Sequence, residues 1–174
     1  MSQINIIEIS DGELSYTIRP ITSQEYSLLD DFLYEAIFIP EGVEAPPKDI
    51  IKAPELQVYV ESFGTREGDI CFVAEISGKV VGAVWVRIMD DYGHVEDGVP
   101  SFAISLYKEY RGYGIGTALM KRMLVELQTK GYKKASLAVQ KANYAVKMYK
   151  KVGFEIIDEN DEEYIMMWRA KNSI

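Results

Sequence analysis

Residues 101–131 read SFAISLYKEYRGYGIGTALMKRMLVELQTKG, and two changes of pattern inside that stretch decide what kind of domain the chain forms. Ser101 to Tyr107 reads as a strand. The cluster Arg111-Gly112-Tyr113-Gly114-Ile115-Gly116 follows, where glycines let backbone N–H groups converge beside the positive end of a helix. Ile115, Leu119, Met123 and Leu127 then recur at i, i+4, i+8 and i+12 until Gly131, predicting one long amphipathic helix. Strand, glycine turn and helix in that order make an anion cradle. No Gly-Lys-Ser/Thr follows, so this is not a Walker loop. Thr117 and Leu119 occupy the third-glycine positions of G-x-G-x-x-G, so the dinucleotide fingerprint fails as well. A plain flexible turn before a helix is the competing reading.

Working outward, Ala135 to Val139 reads as a short buried strand, and Ala145, Val146, Tyr149 and Val152 stripe a helix closed by Gly153. Phe154 to Ile157 and Tyr164 to Trp168 form a hairpin around an acidic turn. Upstream, Ile70 to Ile76 and Val80 to Met89 form a hairpin joined at Ser77-Gly78-Lys79. Leu14 to Pro20 is a first strand, and Thr22-Ser23-Gln24-Glu25 has capping-box spacing. Leu28, Leu29, Phe32, Leu33 and Ala36 carry a helix that Pro40 stops. A second helix opens at Pro54, with Leu56, Tyr59, Val60 and Phe63 on one face. The order β-α-α-β-β-β-α-β-α-β-β predicts an α/β (mixed α+β) fold: one domain over residues 14–174, after an N-terminal extension over 1–13, with a mixed, mostly antiparallel central sheet flanked by helices.

Composition bounds the function. The 174 residues fit one domain, and 48% hydrophobic with 26% charged is ordinary for a globular core. A net charge of −8 repels phosphate backbones, so nucleic acid is not an expected partner. Cys71 and His94 are each the single residue of their kind, so a Cys/His zinc site lacks ligands and no metal is expected. No apolar run approaches the ~18 residues of a membrane span, and no basic stretch precedes an apolar one at the N-terminus. A cytoplasmic protein without membrane association is the expectation.

Arg-Gly-Tyr-Gly-Ile-Gly over 111–116 resembles the Gln/Arg-x-x-Gly-x-Gly/Ala signature of the GNAT superfamily of N-acetyltransferases. Asn143, Ala145, Tyr149, Gly153 and Phe154 are similar to that superfamily's second block, N-x-A-x-x-x-Y-x-x-x-G-F. The resemblance implies acetyl-CoA as acyl donor, its pyrophosphate on the N–H groups of 111–117 (Arg111, Gly112, Tyr113, Gly114, Ile115, Gly116, Thr117). It implies a pantetheine arm along 101–107 that pairs with backbone near Ser105 and Leu106, Asn143 against the cofactor, and Tyr149 near the sulfur. Lys108 stands where many relatives have proline, and a cation beside a polyphosphate is electrostatically sensible.

Acetyl transfer to an amine needs a neutral amine, a stabilised oxyanion and a hydrogen-bonded or protonated leaving thiolate. By resemblance, a backbone N–H near Leu106 serves the oxyanion. Tyr149 is the candidate acid, although a phenol at ~10 against a thiol at ~8.5 favours hydrogen-bond donation over full proton transfer. Packing on the helix's apolar stripe is its other reading. No carboxylate lies in Ser101 to Tyr107. Glu96 is the nearest upstream acid, and the chain from it to Leu106 extends to about 33 Å, so it reaches the thioester only if the loop folds back. His94 is a second candidate base, and a water chain a third. Asp90, Asp91, Glu96 and Asp97 attract a cationic acceptor, weakly hold a metal or form a solvated loop, and the acidic run 158–163 reads as a solvated hairpin tip. Trp85 and Arg87 share one strand face and line an acceptor pocket, or else are core and edge charge. The proline-broken segment Ile39 to Pro47 is another acceptor wall.

The expected function is therefore acetyl transfer from acetyl-CoA to a primary amine of a small molecule, through a ternary complex. A peptide N-terminus is the alternative acceptor, and a non-catalytic acyl-CoA sensor or a nucleotide-phosphate binder the alternatives outside the class. Tyr164 to Trp168 pairs across a homodimer, or else is an interior strand.

Overall fold

A computed structural model describes residues 3–9, 12–89 and 98–171. Among these residues eight strands form one sheet in the order β1-β2-β3-β4-β5-β6-β8-β7. They are β1 (Gln3–Ile9), β2 (Gly12–Pro20), β3 (Ile70–Ile76), β4 (Lys79–Arg87), β5 (Ser101–Leu106), β6 (Lys134–Gln140), β7 (Phe154–Glu159) and β8 (Glu163–Arg169). Every neighbouring pair is antiparallel except β5 and β6, which α3 (Ile115–Thr129) connects as a parallel crossover. The mixed, mostly antiparallel sheet flanked by helices is the architecture expected. The segment before Leu14 contributes β1, which pairs with β2 from Gln3 opposite Ile18 to Ile9 opposite Gly12.

Central strands are apolar without alternation because both sheet faces are covered. In β4, Val84 and Val86 face α3 and α4 (Ala145–Lys151), whereas Ala83 and Trp85 face α1 (Leu28–Glu35). Leu119, Met120, Met123 and Leu127 of α3 fill the first layer, and Leu29, Phe32 and Leu33 of α1 the second. The β3–β4 turn needs only Ser77 and Gly78, at φ 49° and 81°, the paired left-handed residues of a tight hairpin.

Three elements differ from expectation. The first helix divides: Thr22 N–H donates to Glu25 Oε1 at 3.0 Å, but the turn there is 3-10 and the α-helix begins at Leu28. The helix from Pro54 stops at Gln57 as α2 (Pro54–Gln57). Two carbonyls that its continuation would use, Val58 O and Glu61 O, instead accept from Arg87 Nη1 at 3.1 and 2.7 Å, and Ser62 at φ 51° turns the chain. The strand expected through Met89 ends at Arg87. Tyr164 to Trp168 is interior, because β8 is bonded to β6 on one side and β7 on the other, so it offers no free edge to a second copy.

Candidate active site

The parallel pair β5/β6 is joined at Ser101 and Ser136, where Ser136 N–H donates to Pro100 O at 3.0 Å, and the strands then part. A cavity of about 700 Å³ occupies the opening. Its sides are β5 (Ile104, Ser105, Leu106), the glycine turn and first turn of α3, the start of α4, and the chain following α1.

The strand edge facing the cavity follows from register. Tyr107 N–H donates to Val81 O at 3.0 Å, so residues 105 and 107 turn their backbone groups toward β4. Ile104 and Leu106 therefore turn theirs toward the gap left by β6. Leu106 O is taken by Arg111 Nε at 2.9 Å, which leaves the Leu106 N–H and both Ile104 groups aimed into the cavity. Gly82, opposite Leu106, leaves room for that side chain: a Cβ there would strike Leu106 and come 3.0 Å from Ser105 O.

Gly112 and Gly114 at φ 86° and 87° turn the chain so that α3 begins at Ile115 with its first-turn N–H groups exposed to the cavity mouth. Lys108 and Thr117 line the same mouth. Backbone donors, a helix N-terminus and a lysine together can hold a phosphate. On the facing side, Asn143 Oδ1 accepts from Ala145 N–H, at the first residue of α4, at 2.9 Å, and Tyr144 and Met148 line the cavity beside it.

Most of the residues singled out from sequence come together here: Ser105, Leu106, Lys108, Arg111, Gly112, Gly114, Gly116, Thr117, Asn143 and Tyr149 all line the cavity. Their parts differ from a simple roster of ligands. Arg111 is spent inside the protein, with Nη2 donating to Glu35 O at 3.1 Å and lying 3.6 Å from Glu35 Oε1, so it ties the end of β5 to the end of α1. Ser105 Oγ donates to Phe32 O at 2.6 Å, and its backbone faces β4. Ile115 packs its side chain in the core and Tyr113 stands half-exposed off the cavity, so each offers the turn only its backbone.

Tyr149 sits at the cavity floor, buried against Phe154 at 6.1 Å between ring centroids. Desolvation, with a smaller contribution from Tyr144, pushes its phenol well above the ordinary value. It stays protonated and can donate a hydrogen bond.

Trp85 and Arg87 require correction. Neither lines the cavity. Trp85 is core, its Nε1 donating to Tyr59 O at 3.1 Å. Arg87, 0% exposed, meets both Asp69 oxygens at 2.9 Å and pins Val58 and Glu61 besides. A strand buried on both faces has no solvent side for an edge charge. Glu96, His94, Asp90, Asp91 and Asp97 lie outside the described residues.

Sequence reasoning passed over Glu35, the one carboxylate lining the cavity among the described residues, and Ile37 and Phe38 of an apolar wall that continues through Ile39, Val43 and Ala45. Only the segment from Ile39 was anticipated. Tyr34 Oη donates to Pro46 O at 2.5 Å and fastens this strap. Glu35 closes an amphipathic helix 76 residues before Arg111, and no local spacing links the two.

A family model described as the acetyltransferase (GNAT) family matches residues 33–154, more than half of the chain. The chain is 35% identical over 107 residues to an acetyltransferase of Sodalis glossinidius, covering 60% of this chain and 69% of that protein. It is 30% identical over 161 residues to an uncharacterised N-acetyltransferase of Methanocaldococcus jannaschii, covering 88% and 65%. The fold is similar to that of the PaiA N-acetyltransferase of Thermoplasma acidophilum, solved with coenzyme A (TM-score 0.67, 18% identity, 90% of this chain and 100% of that one). The family match over residues 33–154, on a fold that agrees with it, shows that this chain belongs to the GNAT family of acetyltransferases and is an acyltransferase.

Proposed function

We propose that the protein transfers the acetyl group of acetyl-CoA directly to a primary amine of a small molecule, with donor and acceptor bound together. The observation that carries this reading is one cavity joining three parts: the N–H groups of Ile104 and Leu106, the glycine turn at the start of α3, and Tyr149. The turn and Lys108 hold the donor's pyrophosphate. Its pantetheine arm takes the place along β5 that β6 vacates, pairing with Ile104 and Leu106, and Asn143 contacts it from α4. The coenzyme A in the Thermoplasma structure supports this use of the fold.

An acceptor nitrogen that has lost its ammonium proton to water attacks the thioester carbonyl. The C–N bond forms while negative charge gathers on the oxygen, where a strand N–H of β5 receives it. Collapse breaks the C–S bond. The sulfur leaves as a thiolate bonded by the Tyr149 hydroxyl, and the second proton shed by nitrogen ends on that sulfur through solvent. The raised phenol pKa makes Tyr149 a hydrogen-bond donor to the thiolate rather than an acid ionised in the step.

The test is a thiol-release assay with acetyl-CoA against alkylamines, arylalkylamines, polyamines, amino acids and N-terminal peptides, run beside a thermal-shift titration with CoA. Release with a small amine and a CoA-dependent rise in Tm are expected. Release with peptides alone would move the acceptor class to peptide N-termini, a CoA shift without any release would support the sensor, and no CoA shift would sink the acyl-CoA reading.

A further inference from the structure

Resting on that reading, we infer that Glu35 binds the acceptor's ammonium group, and that the acceptor is a cationic amine on an apolar body without a carboxylate of its own. Among the described residues Glu35 is the only acid lining the cavity. Its side chain is 17% exposed, so its charge acts across a partly desolvated space.

The pairing of Glu35 with Arg111 leaves room for a second cation. The Arg111 guanidinium is held first by two carbonyls, Leu106 O at 2.9 Å and Glu35 O at 3.1 Å, while its distance to Glu35 Oε1 is 3.6 Å, longer than a hydrogen bond. A half-buried carboxylate in that state has lone pairs to offer an ammonium, and Arg111 keeps both carbonyls if the carboxylate turns. The position suits transfer: Arg111 bonds Leu106 O at 2.9 Å and lies 3.6 Å from Glu35 Oε1, so one side chain bridges the carboxylate and the strand edge proposed to hold the thioester.

The walls set the rest of the acceptor. Among the described residues, the wall beyond Glu35 is Ile37, Phe38, Ile39, Val43 and Ala45, none of them charged. A hydrocarbon or aromatic body fits that wall, whereas the extra ammonium groups of a polyamine find no partner there. Of the two cations that line the cavity among the described residues, Lys108 is taken by the donor's pyrophosphate in that reading and Arg111 by two carbonyls, so an α-carboxylate beside the ammonium meets Glu35 before an open cation. Glu35 holds the amine in its protonated form on entry, and the nitrogen releases its proton to water before it attacks.

The experiment measures steady-state kinetics of the wild-type protein, Glu35→Gln and Glu35→Asp with acetyl-CoA and an arylalkylamine, its parent amino acid and a polyamine. Glutamine retains the backbone carbonyl that Arg111 uses. The expected result is a rise of about 10- to 100-fold in amine KM for Glu35→Gln, with acetyl-CoA KM and kcat nearly unchanged, and partial recovery in Glu35→Asp. The wild type should prefer the arylalkylamine to the amino acid and the polyamine. An unchanged amine KM in Glu35→Gln overturns the proposal and leaves acetyl transfer standing. An equal rise in acetyl-CoA KM marks Glu35 as a strut for Arg111 and also overturns it, as does a wild-type preference for the amino acid or the polyamine. A wild type that releases no thiol with any of the three amines overturns both readings.

Discussion

At the scale of single residues, Tyr149 shows how burial selects among the roles that a phenol can play. Its raised pKa keeps the donor form present across the working range, so the alkaline limb of the rate profile owes nothing to Tyr149 below about pH 10. Tyr149→Phe should lower kcat by about 10- to 100-fold while the Kd for CoA stays within about twofold; normal turnover in this variant would end the assignment. Burial also links the residue to stability. The unfolded phenol ionises near 10 and the folded one higher, so the folded state holds more protons above that pH and stability falls as pH rises. Urea midpoints at about pH 8 and pH 11 should therefore separate in the wild type and draw closer in Tyr149→Phe. They should not coincide, because desolvation raises Tyr16 and Tyr107 too.

At the scale of elements, the cradle depends on where α3 starts. Gly114 is left-handed, with open space where a Cβ would stand, so Gly114→Ala incurs backbone strain alone, about 1–2 kcal/mol. Gly116 has no positive φ, and a Cβ there would meet Leu106, Met148 and Ile104 at 3.5 to 3.9 Å, ordinary contacts. Gly114→Ala should thus lower Tm by about 3–6 °C and weaken CoA binding, whereas Gly116→Ala should leave Tm nearly unchanged. Thermal denaturation with and without CoA measures both. Equal effects at the two glycines would mean that space, not backbone conformation, governs the turn. The two glycines were legible as a cluster in the sequence, but which one carries the strained conformation was not.

At the scale of the whole molecule, the Arg87–Asp69 pair joins the sheet to the chain between α2 and β3. Asp69 also accepts from Gly64 N–H at 2.9 Å and Arg66 N–H at 3.1 Å, so one buried carboxylate organises a turn and neutralises a guanidinium. Asp69→Ala leaves Arg87 buried without its counter-charge and should cost about 3–5 kcal/mol, read as a drop in the urea midpoint. The KM values of the remaining folded protein should not move, since neither residue lines the cavity. A stable Asp69→Ala protein with an altered amine KM would return Arg87 to the acceptor site.

The sequence by itself determined what is local. Periodicity located the long helix and the central hairpin, and the glycine run marked the anion cradle, because each depends on the chemistry of neighbouring residues. Two spaced motifs carried the family, and with it the expected donor. Only the tertiary structure decided which residues face the cavity. Trp85 and Arg87 share a strand face in any reading, but whether that face meets a pocket or α1 depends on a helix more than fifty residues earlier in the chain. The pairing of Arg111 with Leu106 and Glu35 is likewise invisible to spacing, since Glu35 is 76 residues away. The opening between β5 and β6 is a matter of where two strands cease to pair, which packing of whole elements sets and no single segment encodes.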